Sequence, residues 1–196
     1  IEGQEPFVAR RRSMVQVPAQ TVYSMETIGN RPAIRFETNI AGAQTMYLEQ
    51  PTVAPPEGGE FIPVRLDRKP FPYGHENKPH INLDDIVAAD PNTRGGRFVH
   101  DDRGVSNIIY GYNSKLPPLD EKNRGHFHPE GAEFWVIMLG QIRYPIEGQG
   151  VVIAEEGDVV YAPKNTFHAP RWWGDGPSCR LAMNGYPSIA HLYEPH

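Results

Sequence analysis

His126 and His128 stand one residue apart, Glu133 follows shortly after them, and His168 comes later behind a second apolar run. In an extended chain residues two apart share a face, so His126-Phe127-His128 presents two imidazoles side by side. Three imidazole nitrogens and one carboxylate oxygen form a mixed donor set suited to one divalent first-row metal ion. Four such donors leave two adjacent positions of an octahedron open. Open positions are what polarising a carbonyl or enolate, or binding dioxygen beside a substrate, requires. Glu133 also qualifies as a catalytic group that moves a proton, or as a carboxylate holding a histidine ring. Glu130 is the competing carboxylate. His75, His80, His100, His191 and His196 lack this company and are read as surface or hydrogen-bonded residues.

The elements that must position these residues lie in the second half of the chain. Strands are expected at Val105–Tyr112, Gly125–His128, Ala132–Leu139, Gln141–Ile146, Val151–Ala154, Asp158–Ala162 and Ser178–Asn184. Residues 147–150 and 155–158 read as hairpin loops between them. Short antiparallel strands with frequent turns make an all-β barrel or sandwich of jelly-roll type. A barrel of this size leaves room for one small ligand.

The first hundred residues read as an N-terminal arm with extra strands packed on a barrel formed by residues 101–196, the whole being one structural domain. Met14–Val17, Ala33–Glu37 and Gln44–Glu49 have strand character, and residues 1–12 read as a loose terminus. Residues 65–96 are turn-rich, with a short helix expected at Leu83–Ala89 behind an Asn82 cap. The run Arg10-Arg11-Arg12 is read as solvated.

Two spaced patterns resemble those of the cupin superfamily. The first is His126-Phe127-His128, then Glu133, then Gly140. The second runs from Gly157 through Pro163 to His168. Asp120 and Trp172 depart from the family pattern outside the ligand positions. Asn165 stands where the turn after Pro163 usually has glycine, and asparagine tolerates the left-handed conformation. The resemblance implies a single double-stranded β-helix barrel with an N-terminal extension and a homodimer. It also implies a metal held by His126, His128, Glu133 and His168.

Around the centre, parity on the strand places Trp135 and Ile137 on the face of Glu133, with Phe134, Val136 and Met138 on the other. Arg143 continues the odd-numbered face if Gly140 does not flip the alternation, and could then anchor a carboxylate or phenolate. Tyr161 and Trp172 complete the candidate substrate wall, with Trp172 expected near the barrel mouth.

Composition narrows the partners to small molecules. A net charge of −5 argues against nucleic acid and anionic membranes, and no run approaches the ~20 apolar residues of a membrane span. The single cysteine, Cys179, cannot form an internal disulfide and has no paired base to make it a nucleophile. A cytoplasmic location is expected; the first residue, Ile1, leaves export open as the alternative.

Three function classes fit. The first is a non-haem Fe(II) dioxygenase acting on a small aromatic or enolisable carbonyl compound. The second is an isomerase, lyase or decarboxylase of a sugar or hydroxy acid that uses Mn, Ni or Zn. The third is a cupin that binds a small ligand without catalysis.

Overall fold

A computed structural model describes residues 1–39, 43, 45–47, 54–55, 57–60, 67–74, 77–101, 104–184 and 190–194. In chain order the elements begin with β1 (Ser13–Val15), β2 (His80–Asn82), α1 (Leu83–Ala89), β3 (Gly95–Asp101) and β4 (Gly104–Tyr112). They continue with β5 (Glu133–Leu139), β6 (Gln141–Ile146), β7 (Gly150–Glu155), β8 (Val159–Ala162), β9 (Arg171–Trp173) and β10 (Pro177–Asn184). The larger sheet has the order β3-β4-β10-β5-β8 and the smaller β7-β6-β9, with every pairing antiparallel. This is an all-β double-stranded β-helix. None of the described helices is long and apolar enough to cross a membrane.

Strand alternation explains two separate cores. Trp135 and Ile137 of β5, Ile142, Tyr144 and Ile146 of β6, and Ala182 of β10 meet between the sheets. On the outer face of the larger sheet, Ile108, Tyr110, Val136, Cys179, Leu181 and Met183 pack with Met14 and Leu83. The N-terminal segment is therefore a third layer. Leu83, 1% exposed, opens α1, where the Asn82 side chain accepts from the Asp84 N–H at 2.9 Å. That cap and the burial, worth about 1.5–3 kcal/mol for a leucine, hold a helix too short to persist alone.

Several expectations need correction. Arg10 and Arg11 are exposed, as expected of a solvated run, whereas Arg12 is half-buried, and all three are paired. Arg12 pairs with Asp84 and Glu156, Arg10 with Asp85, and Arg11 with Glu156. They tie the N-terminal segment to α1 and to the turn before β8. Ala33–Glu37 forms no strand, because nothing among the described residues pairs with it and Ile34 is 99% exposed. Residues 45–47 are not strand either, and the rest of the Gln44–Glu49 expectation lies outside the described residues. The larger sheet also begins earlier than expected, since β3 pairs with β4 from Gly95 onward.

The expected parity holds along β5 but reverses before β6. The register against β10 slips between Cys179 and Arg180, so that Cys179 faces Leu139 and Arg180 faces Ile137. Met138 is the extra residue of this bulge, and Met138 and Leu139 both pack on the outer core. Gly140 then turns the chain with φ 66°, where a Cβ would lie 2.4 Å from the Pro177 carbonyl oxygen. Even-numbered residues face the interior on β6 as a result.

Candidate metal centre

The segment of His126 is extended but paired only through single bridges, to His168 and, from Phe127, to Leu192. His126 and His168 exchange both backbone hydrogen bonds, at 3.1 and 2.9 Å. This close approach depends on Gly125 at φ 76°, because a Cβ there would lie 2.0 Å from the His168 carbonyl oxygen. The turn that returns the chain to His168 contains Asn165 at φ 59°, the left-handed conformation expected for it. The Asn165 N–H donates to the His128 carbonyl at 2.8 Å and ties the two motifs together. Glu133 enters from the first residue of β5, opposite Asn184 of β10.

His126, His128, Glu133 and His168 each offer one ligand atom, and these atoms lie within 4.8 Å of one another. The arrangement can hold one metal ion. His128 Nδ1 lies 2.7 Å from the Ala190 carbonyl oxygen and His168 Nδ1 lies 2.9 Å from that of Thr166. A carbonyl only accepts, so both Nδ1 atoms carry protons and both neutral rings turn the Nε2 lone pair toward the centre. Yet each Nε2 faces Glu133 Oε2, at 3.0 and 3.2 Å. Two lone pairs and a carboxylate oxygen repel unless a positive charge lies among them. A divalent ion meets that demand and matches the donor set, with the two backbone carbonyls fixing the ring orientation.

Without an ion, a proton has to serve. Burial alone would raise the Glu133 carboxyl, but the His128 and His168 rings beside it, 3.0 and 3.2 Å away, overcome that and hold it at about 2. Burial disfavours charge on His128 as well, but the bond to Glu133 leaves its pKa raised. His126 is pushed down to about 3 by burial and by the neighbouring His168, His191 and His128. His126 and Glu133 therefore bring no competing proton near neutrality, whereas His128 does. Zinc affinity of the metal-free protein should fall about tenfold per pH unit below the raised pKa of His128 and level off above it. Calorimetric titration across mildly acidic to mildly alkaline pH reads that slope, and a flat profile would contradict the exchange of proton for ion.

Residues 190–194 supply a part of the site that spacing did not reveal. Besides the Ala190 carbonyl, His191 sets its ring 4.6 Å from those of His126 and His128, and Tyr193 lies 5.5 Å from His126. Both are exposed, so they form the solvent side of the centre. No motif spacing links His191 to the other histidines; the Phe127–Leu192 bridge brings it there.

The other candidates divide clearly. Trp135, 1% exposed, meets the His168 ring edge-on with centroids 5.1 Å apart and walls the centre from within. Arg143 does not face the interior. The parity reversal turns it outward, where it is buried against Glu121 at 2.5 Å and the ring of Trp173. Tyr161 also points away, 59% exposed and paired with Phe134, while its neighbours Val160 and Ala162 face inward. Trp172 is packed within the sheet. It pairs with Ile142 within β9 and lays its ring over Gly111, where a Cβ would meet the ring at 2.6 Å. Glu130 is exposed and accepts from the Ala190 N–H at 3.3 Å. Burial pushes the Cys179 thiol up to about 12, which suits a core residue and not a nucleophile. His75 and His196 lie outside the described residues.

A family model for the cupin domain matches residues 114–183. No curated protein matches the chain significantly. Among solved structures, a double-stranded β-helix protein from Klebsiella pneumoniae is 20% identical with a TM-score of 0.40, over 53% of this chain and 83% of that one. An RmlC-like cupin family protein from Methanocaldococcus jannaschii is 15% identical with a TM-score of 0.40, over 48% and 84%. A DMSP lyase from Ruegeria pomeroyi is 25% identical with a TM-score of 0.33, over 42% and 38%.

Proposed function

With residues 114–183 a cupin domain, we propose that the chain is a mononuclear metal-dependent enzyme. We further propose that its reaction is Fe(II)-dependent dioxygenation of a small aromatic or enolisable carbonyl substrate. The observation behind this reading is the pair of Nδ1-protonated imidazoles that aim two Nε2 lone pairs at one carboxylate oxygen. Bound ferrous iron would supply a Lewis acid and a redox partner for dioxygen.

The chain's own residues do the rest. His126, His128, Glu133 and His168 bind the ion. The Ala190 and Thr166 carbonyls keep two of the rings from turning. Trp135 closes the inner side against water, and His191 and Tyr193 line the side from which a substrate would enter. Glu133 serves as a ligand here. A carboxylate oxygen that binds the ion has its lone pair committed there.

Elemental analysis of protein purified anaerobically, without added metal or a histidine tag, tests this directly. Close to one iron per chain, with oxygen uptake on phenolic or dicarbonyl compounds, is the expected result. Zinc, manganese or nickel without oxygen uptake would replace it with the non-redox reading, a lyase, decarboxylase or isomerase. One observation favours that second reading, namely a cation on the interior face of β10, Arg180, whose Nε is shut off from solvent and which suits an acid substrate.

A further inference from the structure

Among the described residues six buried side-chain nitrogen or oxygen atoms have no hydrogen-bond partner, and five of them belong to the barrel interior: Tyr144 Oη, His168 Nε2, Trp172 Nε1, Arg180 Nε and Asn184 Nδ2. His168 Nε2 is accounted for by the metal centre. The other four are unexplained, and their chemistry is one-sided. The arginine, tryptophan and amide nitrogens can only donate, and a phenol can donate as well. Buried donors without acceptors cost about 1–3 kcal/mol each, so a cluster of them points to a missing acceptor.

Strand register places them. Arg180 of β10 lies opposite Ile137 of β5 and Ile109 of β4, both of which pack in the core between the sheets. Residues paired across antiparallel strands share a face, so Arg180 points inward. Asn184 lies on the same face, opposite Glu133 at the metal end, four residues and roughly 13 Å of strand from Arg180. Tyr144 of β6 packs in the same interior core, its ring 4.9 Å from that of Trp135. Trp172 packs on the same core from β9. Arg180 retains some exposure as a residue, but its Nε is shut off from solvent. Burial lowers its pKa, and Tyr144 and Glu133 are the interior groups whose fields act on it. Glu133 is already committed to the histidines.

We propose that Arg180, with Trp172 Nε1, Tyr144 Oη and Asn184 Nδ2, forms a carboxylate-binding chamber inside the barrel, so that the substrate is a small organic acid anion reaching from Arg180 toward the metal. The charge balance points the same way. A divalent ion with Glu133 keeps one net positive charge, and Arg180 adds a second in a low-dielectric interior. A carboxylate whose other end ionises to an enolate or phenolate neutralises both. The metal-dependent reading enters here only in orienting the far end of the acid; the anion site rests on β10 and its neighbours.

The test is calorimetric binding to zinc-loaded protein, with acetate, propionate and benzoate as probes and the matching amides as neutral controls. Zinc content is measured in parallel. At least one acid should bind about tenfold or more tightly than its amide, and Arg180→Met should weaken that acid about tenfold or more with zinc content unchanged. Arg180→Lys, which retains the charge without the planar fork, should fall between the two and serves if the methionine variant does not fold. If no acid binds the wild-type protein, or if the variants bind it as well as wild type, the chamber is occupied by water and the proposal is overturned. Should the wild-type chain hold no zinc yet bind an acid through Arg180, the metal-dependent reading fails and this one stands.

Discussion

His168→Ala and His126→Ala should each yield a folded barrel that no longer retains metal. Loss of a group that merely orients a ligand typically weakens a site by about 10–100-fold, so deleting a ligand should exceed about 100-fold. The two variants differ in their side effects. His168 is 1% exposed, its deletion leaves a hole beside Trp135, and a modest loss of stability should accompany the loss of metal. His126 is half-buried, and its removal should cost less. Metal-to-chain ratios after dialysis, read beside far-ultraviolet circular dichroism, separate the site from the fold. Full metal occupancy in both variants would refute the assignment of the centre.

Trp135→Ala should produce the largest stability loss of any single change in the interior. The side chain is fully buried and packs on Tyr144 at 4.9 Å and on His168 at 5.1 Å. Truncating a buried tryptophan costs about 3–5 kcal/mol, a large part of the roughly 5–15 kcal/mol that holds a domain folded. Tyr161→Ala is the matched control. That ring faces solvent on β8, so its removal should stay within about 0.5 kcal/mol. Denaturant midpoints of the two proteins decide the matter, and equal midpoints would mean that the interior core is not organised around Trp135.

The convergence of His126, His128, Glu133 and His168 was legible because it depends on short-range rules. His126 and His128 share a face by strand period, and Glu133 and His168 sit at the bounds of apolar runs. The extent of β6 and the helix behind Asn82 were readable for the same reason. Arg143 was misplaced because parity survives only while pairing is regular, and the bulge at Met138 inverts it. Tyr161 was drawn in by its nearness to His168 in sequence, although it alternates outward.

Arg180 was missed for a different reason. In Ser178–Asn184 the apolar set Cys179, Leu181 and Met183 looks like the core face, yet it faces the outer layer under Met14 and Leu83. The signal was the polar set on the other parity, Ser178, Arg180 and Asn184. It could not be interpreted until the N-terminal segment was known to cover that outer face. His191 was beyond reach altogether, since only tertiary pairing brings it to His126.

The position of β10 also bears on how the protein comes into being. β4 and β5 are both complete before β10 in the chain, yet they do not pair with each other; each pairs with β10 between them. During synthesis the β3–β4 hairpin and β5 must therefore wait with open edges until residues 177–184 have left the ribosome. Such distant pairings fold slowly and expose edges on which nascent chains can associate. His168 and the Ala190 carbonyl follow them in the chain, so His126, His128 and Glu133 have no competent site until those residues have been made. Metal loading becomes a step that follows synthesis of residues 168–190, and chaperone supply during expression should govern yield more than metal in the medium.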